Sequence, residues 1–102
     1  MSKFLVLWSL EPALINGDAM KAVLAMPAYA EMLIANKKLD KRYHIVGRHG
    51  GAWIYEVESN EELDRLLALA PVYNFSRYEV YPLAEMIMPS IVKQATKRLP
   101  SD

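Results

Sequence analysis

The strongest constraint on the fold lies in residues 52–70, where a strand pattern passes directly into a capped helix. Ala52–Val57 is rich in aromatic and β-branched residues, which favour strands. Ser59 stands three residues before Glu62, the spacing at which a serine caps a helix while the glutamate bonds back to the cap's own amide. Apolar residues with the period of an amphipathic helix follow until Pro71, at Leu63, Leu66, Leu67 and Ala70.

The first half of the chain predicts one strand and one long helical region. Residues 3–10 are apolar at odd and even positions, which is typical of a strand covered on both sides. A helix is predicted over 19–38 with Asp18 as its cap. Because Pro27 interrupts it, we expect two helical pieces or one kinked helix. The charged run at 36–42 is interpreted as a solvated helix end and turn.

Two further alternating segments complete the order of elements. Tyr43–Arg48 predicts a second strand, and His49-Gly50-Gly51 predicts a hairpin turn into the third. Residues 75–82 predict a fourth strand. The order strand-helix-strand-strand-helix-strand indicates an α+β, ferredoxin-like split βαβ subunit with a four-stranded antiparallel sheet. We expect this domain to span 1–83, with a C-terminal helical extension over 84–102 that contributes to an oligomer interface.

Composition excludes several classes of protein. The chain has 102 residues, enough for one domain, and its 12 basic and 12 acidic residues balance to a net charge of zero. That balance argues against sequence-independent nucleic-acid binding. The absence of cysteine excludes disulfides, thiolate metal sites and cysteine nucleophiles. No apolar run is long enough for a secretory signal or a membrane span, so we expect a soluble cytoplasmic protein.

Alternation along the strands divides the predicted sheet into two faces. One face is expected to pack under the helices, with Tyr43, Ile45, Trp53, Tyr55, Val57, Tyr78 and Val80. The other mixes charged and apolar residues, with His44, Val46, Arg48, Ile54, Glu56, Arg77, Glu79 and Tyr81. This mixture suits a half-covered cleft between two sheets better than solvent or a dry core. A one-residue slip or a bulge would exchange the two sets.

His44 is the histidine that falls inside a predicted strand. It is either a proton shuttle, because imidazole titrates near neutral pH, or a structural residue paired with Glu56 or Glu79. Tyr29 and Glu31, after the helix break, either edge a pocket or face water. The histidines and carboxylates lack the spacing of a zinc site, so no metal is expected.

Several elements together resemble the muconolactone isomerase family. They are Gly47, Tyr55-Glu56-Val57, the capping Ser59, Pro71-Val72-Tyr73 and Glu79-Val80. The resemblance implies a ferredoxin-like subunit that pairs sheet to sheet into a dimeric α+β barrel. It also implies an activity that moves a proton and a double bond within an unsaturated lactone, without a cofactor.

Under that resemblance the chain is a cofactor-free isomerase of a small unsaturated lactone or cyclic acid. The acid/base would be His44 or Glu56. A substrate carboxylate would be held by Arg48 or Arg77 through a bidentate contact, and the pocket wall would include Trp53 or Tyr81. The alternatives are a non-catalytic ligand-binding or assembly module, and a cofactor-free monooxygenase or cyclase of the same superfamily. A haem or flavin site is disfavoured, because only the two histidines could serve as axial ligands.

The same analysis predicts at least a homodimer. One sheet face is covered by the two helices, and the other exposes apolar residues that soluble monomers rarely leave in water. These are Val46, Ile54, Tyr81, Leu5 and Leu7, together with a stripe at Met86, Ile87 and Ile91. A small-molecule ligand is compatible with this arrangement, whereas nucleic-acid and membrane partners are not expected.

Overall fold

A computed structural model describes residues 1–86, and it contains the predicted order of strands and helices. The elements are β1 (Ser2–Leu10), α1 (Gly17–Ala35), β2 (Leu39–His44), β3 (Gly50–Val57), α2 (Asn60–Ala68) and β4 (Ser76–Leu83), with short 3₁₀ turns at Pro12–Leu14 and Tyr73–Phe75. The four strands form one antiparallel sheet in the order β2-β3-β1-β4. This confirms the ferredoxin-like split βαβ fold. From residue 87 onward, the predicted extension and the Ile87 and Ile91 positions lie outside the described residues.

Both helices cover the same face of the sheet and enclose the core. Alternate residues of β1 and β3 are buried beneath them, at Phe4, Val6, Trp8, Leu10, Trp53, Tyr55 and Val57. Facing them are buried residues of the two helices, Ala19, Met26, Ala30, Leu33, Leu63 and Leu67. Neither α1 nor α2, the α-helices of the described part, is long and apolar enough to cross a membrane.

The first helix is continuous, so the two-piece alternative is wrong. Pro27 lies inside α1, and the helix begins at Gly17 under a different cap from the one predicted. The cap is Asn16, whose Oδ1 accepts a hydrogen bond from the Ala19 N–H at 2.8 Å, and not Asp18. Lys37 follows the helix with φ +60°, and this left-handed residue turns the chain toward β2.

The second helix is capped much as the sequence predicts. Ser59 Oγ accepts from the Glu62 N–H at 3.1 Å. Glu62 Oε1 accepts from the N–H of Glu58 at 2.8 Å, one residue before the predicted partner. Its Oε2 lies 2.9 Å from Lys38 Nζ. The Glu58 N–H, followed by Lys38, lowers the pKa of Glu62. The capping residues therefore also bind the segment that leads from α1 into β2.

The second strand is displaced from its predicted position. It runs from Leu39 to His44, whereas the predicted strand was Tyr43–Arg48 and the charged run before it was interpreted as a turn. Leu39 is buried opposite Tyr55 and anchors the start of this edge strand. The charged residues that follow remain in water, as is common on strands at a sheet edge.

The hairpin turn is displaced in the same direction. The chain turns at residues 45–49, where Gly47 has φ +86°. Gly50 and Gly51, predicted as turn residues, lie within β3 and are buried. Gly50 pairs with Ser9 so closely that a Cβ atom would come within 2.1 Å of the Trp8 carbonyl oxygen. Close approach of the two backbones, and not a turn, therefore requires glycine at position 50.

A β-bulge between Leu39 and Lys41 shifts the register of β2 by one residue and exchanges its faces. Tyr43, expected beneath the helices, lies on the uncovered face opposite Ala52 with 56% of its surface exposed. His44, expected on the uncovered face, lies opposite Gly51 on the helix side. The predicted faces of β3 and β4 agree with the structure, whereas Ile45, Val46 and Arg48 belong to the loop.

Candidate functional site

A cavity of about 400 Å³ opens between α1 and one end of the sheet, and we call it the helix-side cavity. Its α1 wall is formed by Val23, Met26 and Pro27, and its opposite wall by residues of β1, β2 and β3. Ligand pockets in proteins typically have volumes of roughly 300–1,000 Å³. The helix-side cavity is therefore large enough for a small cyclic molecule.

Gly51, in the wall of the helix-side cavity, carries no side chain. Strand pairing places His44, Gly51, Trp8 and Tyr78 side by side across the sheet, all on the helix side. Neighbouring strands lie about 4.8 Å apart, so the backbones of His44 and Trp8 lie about 10 Å apart on either side of the glycine. Gly51 thus lies between His44 and Trp8 on the helix side of the sheet.

The polar groups that line the helix-side cavity are mainly donors or cations. Arg42, His44 and His49 line it, and all three are exposed and accessible from solvent. Among the described residues that form its wall there is neither aspartate nor glutamate. An uncompensated guanidinium beside two imidazoles favours an anionic or electron-rich ligand.

Two buried tryptophans border the floor of the cavity. Trp8 and Trp53 are 7% and 3% exposed, and their rings meet edge to face with centroids 6.1 Å apart. Trp8 Nε1 is buried without a hydrogen-bond partner in the described part of the chain. A Cβ atom on Gly51 would lie 2.7 Å from Trp53 Nε1 and 2.9 Å from Trp8 Nε1. Both indole nitrogens therefore lie directly over the glycine and fill the space that a side chain at position 51 would need.

A second cavity, of about 510 Å³, lies at the same end of the sheet toward the uncovered face, and we call it the sheet-end cavity. It brings together Arg48 and Arg77, the residues predicted to hold a carboxylate. Arg77 is already ion-paired with Glu11. Glu79 also lines this cavity and accepts a hydrogen bond from the Tyr81 hydroxyl, which raises the pKa of Tyr81. The sheet-end cavity thus has balanced charge, unlike the helix-side cavity.

Glu56 does not meet His44. It lies on the uncovered face, where its carboxylate is 3.2 Å from Lys3 Nζ. Five residues of extended strand separate it from Gly51, a distance of about 17 Å. The two predicted acid/base residues therefore do not share a site within one chain.

The two α1 candidates also lie apart from the helix-side cavity. Tyr29 donates its hydroxyl hydrogen bond to the Leu66 carbonyl, which joins α1 to α2, and its burial raises its pKa. Glu31 is exposed on α1 and lines neither cavity. Within residues 1–86, no three histidine or carboxylate side chains gather in a way that could hold a metal ion.

Of the eight predicted site residues, the structure thus places His44 and Trp53 in the helix-side cavity. Sequence reasoning missed Arg42, Trp8 and His49, which also line it. Arg42 and His44 are two residues apart and so share one face of a strand, but the run containing Arg42 was interpreted as a turn.

Comparison with known proteins relates this chain to one family. The family model described as Muconolactone delta-isomerase matches residues 4–87. The Muconolactone Delta-isomerase of Cupriavidus pinatubonensis (strain JMP 134 / LMG 1197) is 34% identical over 58 residues, which are 57% of this chain and 63% of that protein. Muconolactone Delta-isomerase 1 of Acinetobacter lwoffii is 34% identical over 56 residues, 55% of this chain and 58% of that protein. The chain thus spans less than two thirds of the length of these curated relatives.

Solved structures show the same fold. The crystal structure of muconolactone isomerase at 3.3 Å superposes with a TM-score of 0.70 at 21% identity, covering 86% of this chain and 92% of that one. The 5-chloro-2-hydroxyhydroquinone dehydrochlorinase of Burkholderia phenoliruptrix AC1100, in complex with 2,5-dihydroxybenzoquinone, gives a TM-score of 0.65 at 20% identity, covering 82% and 95%. Since the family model matches most of its length, the chain belongs to the muconolactone delta-isomerase family.

Proposed function

We propose that this protein is a proton-transfer isomerase that acts, without a cofactor, on a small unsaturated lactone or cyclic acid in the helix-side cavity. One observation carries the proposal: His44 lines a cavity together with the Arg42 guanidinium and two tryptophans, and none of the described residues in its wall is a carboxylate. Family membership supports the reaction class. The fold neighbour that holds 2,5-dihydroxybenzoquinone supports a small oxygenated ring as the kind of ligand.

We assign roles to two of the polar residues that line the helix-side cavity. His44 moves the proton, because histidine is the side chain that most often acts as a general acid/base and this one is accessible from the cavity. Arg42, two residues earlier on the same face of β2, holds the substrate carboxylate in place of the predicted Arg48 or Arg77. His49 lies at the mouth, where it lines both cavities.

The test is turnover of muconolactone, followed by proton NMR in deuterated water. His44→Ala should lower kcat at least about a hundredfold, the usual contribution of a general acid/base. His44→Gln should be as defective, because an amide fills similar space but carries no titratable proton. Lys21→Ala, which removes an exposed basic residue of α1 remote from both cavities, is the matched control and should keep wild-type activity.

Two results would contradict the proposal. Folded His44→Ala with wild-type kcat would remove the histidine from the chemistry. Wild-type protein that binds muconolactone at the helix-side cavity without isomerising it would instead be the ligand-binding module.

We also propose that two copies associate through the uncovered face of the sheet. Half-buried and exposed apolar side chains lie there, at Leu5, Leu7, Ile54, Tyr43 and Tyr81. Light scattering at micromolar concentration should give at least twice the 11.6 kDa chain mass. Ile54→Lys should dissociate the assembly and Glu61→Lys, on the exposed side of α2, should not. A stable 11.6 kDa wild-type species would overturn this part of the proposal.

A further inference from the structure

We infer that the outer face of α1 is a second contact between copies of this chain, in which two α1 helices pack antiparallel in one register. This contact is separate from the helix-side cavity and from the uncovered face of the sheet. It gives a role to Glu31, which is exposed on α1 and lines neither cavity.

The outer face of α1 has the spacing of a coiled-coil seam. We define this face as the exposed residues that follow one another at alternating intervals of four and three, namely Gly17, Lys21, Leu24, Ala28, Glu31 and Ala35. Intervals of four and three bring side chains onto one line that can face a partner helix. Leu24 on this line is 78% exposed, and the exposed residues Ala25 and Met32 lie beside it. A helix on a protein surface usually presents charged and polar residues to water, so this face is suited to packing against a second helix.

The residues of the outer face are arranged symmetrically about the middle of α1. The midpoint of the helix is position 26, and Lys21 and Glu31 each lie five residues from it. Leu24 and Ala28 each lie two residues from the same position. A two-fold axis beside position 26 therefore sets Lys21 against the partner's Glu31. It also sets Leu24 against the partner's Ala28, while the two helices overlap over their full length.

This register is complementary in charge and in size. Lys21 and Glu31 carry opposite charges, and neither forms an ion pair within the described part of its own subunit. The small Ala28 receives Leu24 and lets the helix axes approach to about 8 Å, the short end of the usual range. In a parallel pair, lysine would face lysine and glutamate would face glutamate. Because facing like charges are costly at an interface, the antiparallel arrangement is favoured.

The size of the contact indicates the assembly in which it forms. A strip along 19 residues of helix is about 28 Å long and covers roughly 300 Å² on each copy. Stable interfaces usually bury at least about 1,000 Å² in total. We therefore expect the α1 pair to join copies that already associate through the uncovered face, which rests on the association proposed above. Two different two-fold contacts on one chain give an even number of chains, four or more.

Charge reversal tests the register. Light scattering should give wild-type protein at least four times the 11.6 kDa chain mass. Lys21→Glu and Glu31→Lys each bring like charges together twice per pair, so each should raise the protein concentration at which the assembly separates into dimers at least about tenfold. The double variant should recover the wild-type mass. Glu61→Lys, the same reversal on the exposed side of α2, is the matched control and should not change the mass. These positions line neither cavity, so turnover should stay constant.

Disulfide cross-linking tests the direction of the helices. The chain has no cysteine, so each variant carries a single thiol. An equimolar mixture of Leu24→Cys and affinity-tagged Ala28→Cys should give a mixed disulfide, because the two positions face each other in the antiparallel pair. Either variant alone should cross-link much less, since its two thiols lie about 6 Å apart along the helix axis. Ala68→Cys, which replaces an exposed alanine of α2, is the control partner and should not cross-link to Leu24→Cys.

The results separate the two contacts. If Ile54→Lys leaves a dimer that Lys21→Glu dissociates, the association through the uncovered face is wrong and the α1 pair remains. A face covered by another protein or by residues 87–102 would give no mixed disulfide, and that result overturns the inference whatever the mass of the wild type. Faster cross-linking of either cysteine variant alone than of the mixture would overturn the antiparallel register. So would a double charge variant whose mass stays as low as that of the single variants.

Discussion

Replacing Tyr29 with phenylalanine should destabilise the fold without affecting the proposed chemistry. The Tyr29 hydroxyl donates to the carbonyl of Leu66, near the C-terminal end of α2. Carbonyls in the last turn of a helix lack a partner within the helix. The N–H of Ala70, which would bond to Leu66 if the helix continued, bonds to Leu67 at 3.1 Å instead. Tyr29 therefore caps α2 with a side chain from α1.

The size of the effect follows from the environment of this hydrogen bond. A neutral hydrogen bond contributes about 1 kcal/mol net, and the partly buried Leu66 carbonyl regains some of that from water when the hydroxyl is removed. We therefore expect Tyr29→Phe to lower the free energy of unfolding by about 1 kcal/mol. For a domain of this size that corresponds to a fall in Tm of about 4–8 °C.

Urea unfolding followed by tryptophan fluorescence measures this loss. The midpoint should fall while the m-value stays constant, because the area exposed on unfolding is unchanged. Tyr73→Phe removes a hydroxyl from an exposed tyrosine, and should change stability by less than about 0.5 kcal/mol. A Tyr29→Phe midpoint equal to that of wild type, or impaired turnover at a temperature where the variant is fully folded, would refute this reasoning and return Tyr29 to the site.

Three further predictions concern stability. Ser59→Ala removes the α2 cap and should lower the free energy of unfolding by about 1 kcal/mol in the same urea assay; an unchanged midpoint would contradict the capping role. Burial raises the pKa of Tyr55 and Tyr78, so above about pH 10 the unfolded chain releases phenol protons that the folded protein retains. The free energy of unfolding should therefore fall as pH rises above this value. Urea midpoints that stay constant from about pH 8 to 11 would disprove this prediction. Gly50→Ala should prevent folding, because its Cβ would lie 2.1 Å from the Trp8 carbonyl oxygen, and a native circular dichroism spectrum would contradict it.

The fold was predictable from the sequence because its signals are local. The capping residues at Ser59 and Glu62, the alternation in β3 and the helical periodicity of α2 each depend on a few neighbouring residues. The α1 cap was misplaced by two residues because Asn16 and Asp18 are both good capping residues, and only the backbone conformation distinguishes them. Errors of this size leave the topology unchanged.

The candidate site was only partly predictable because it depends on β2, where the local signals mislead. Lys37 to Arg42 has the composition of a helix end, and a single buried residue, Leu39, turns it into an edge strand by pairing with Tyr55. The bulge that follows then moves His44 to the helix side. Neither the pairing partner of β2 nor its bulge can be recognised from the sequence of β2 alone. The alternation of side chains along the predicted strand therefore placed His44 on the wrong face.

The one-residue register shift in β2 places the proposed dimer interface and the proposed acid/base, His44, on opposite faces of the sheet. Had β2 continued without the bulge, His44 would lie on the uncovered face, within the surface that we propose to be the dimer interface. With the bulge, Tyr43 points to that face and His44 lies across Gly51 from Trp8. The uncovered face then carries the apolar side chains proposed for association, and the helix side carries His44 and Arg42 in the wall of the helix-side cavity. Substitutions on the two faces should consequently affect assembly and turnover separately, unless association itself shapes the helix-side cavity. The Ile54→Lys variant answers that question, because residual turnover in the dissociated chain measures how much of the site one chain forms by itself.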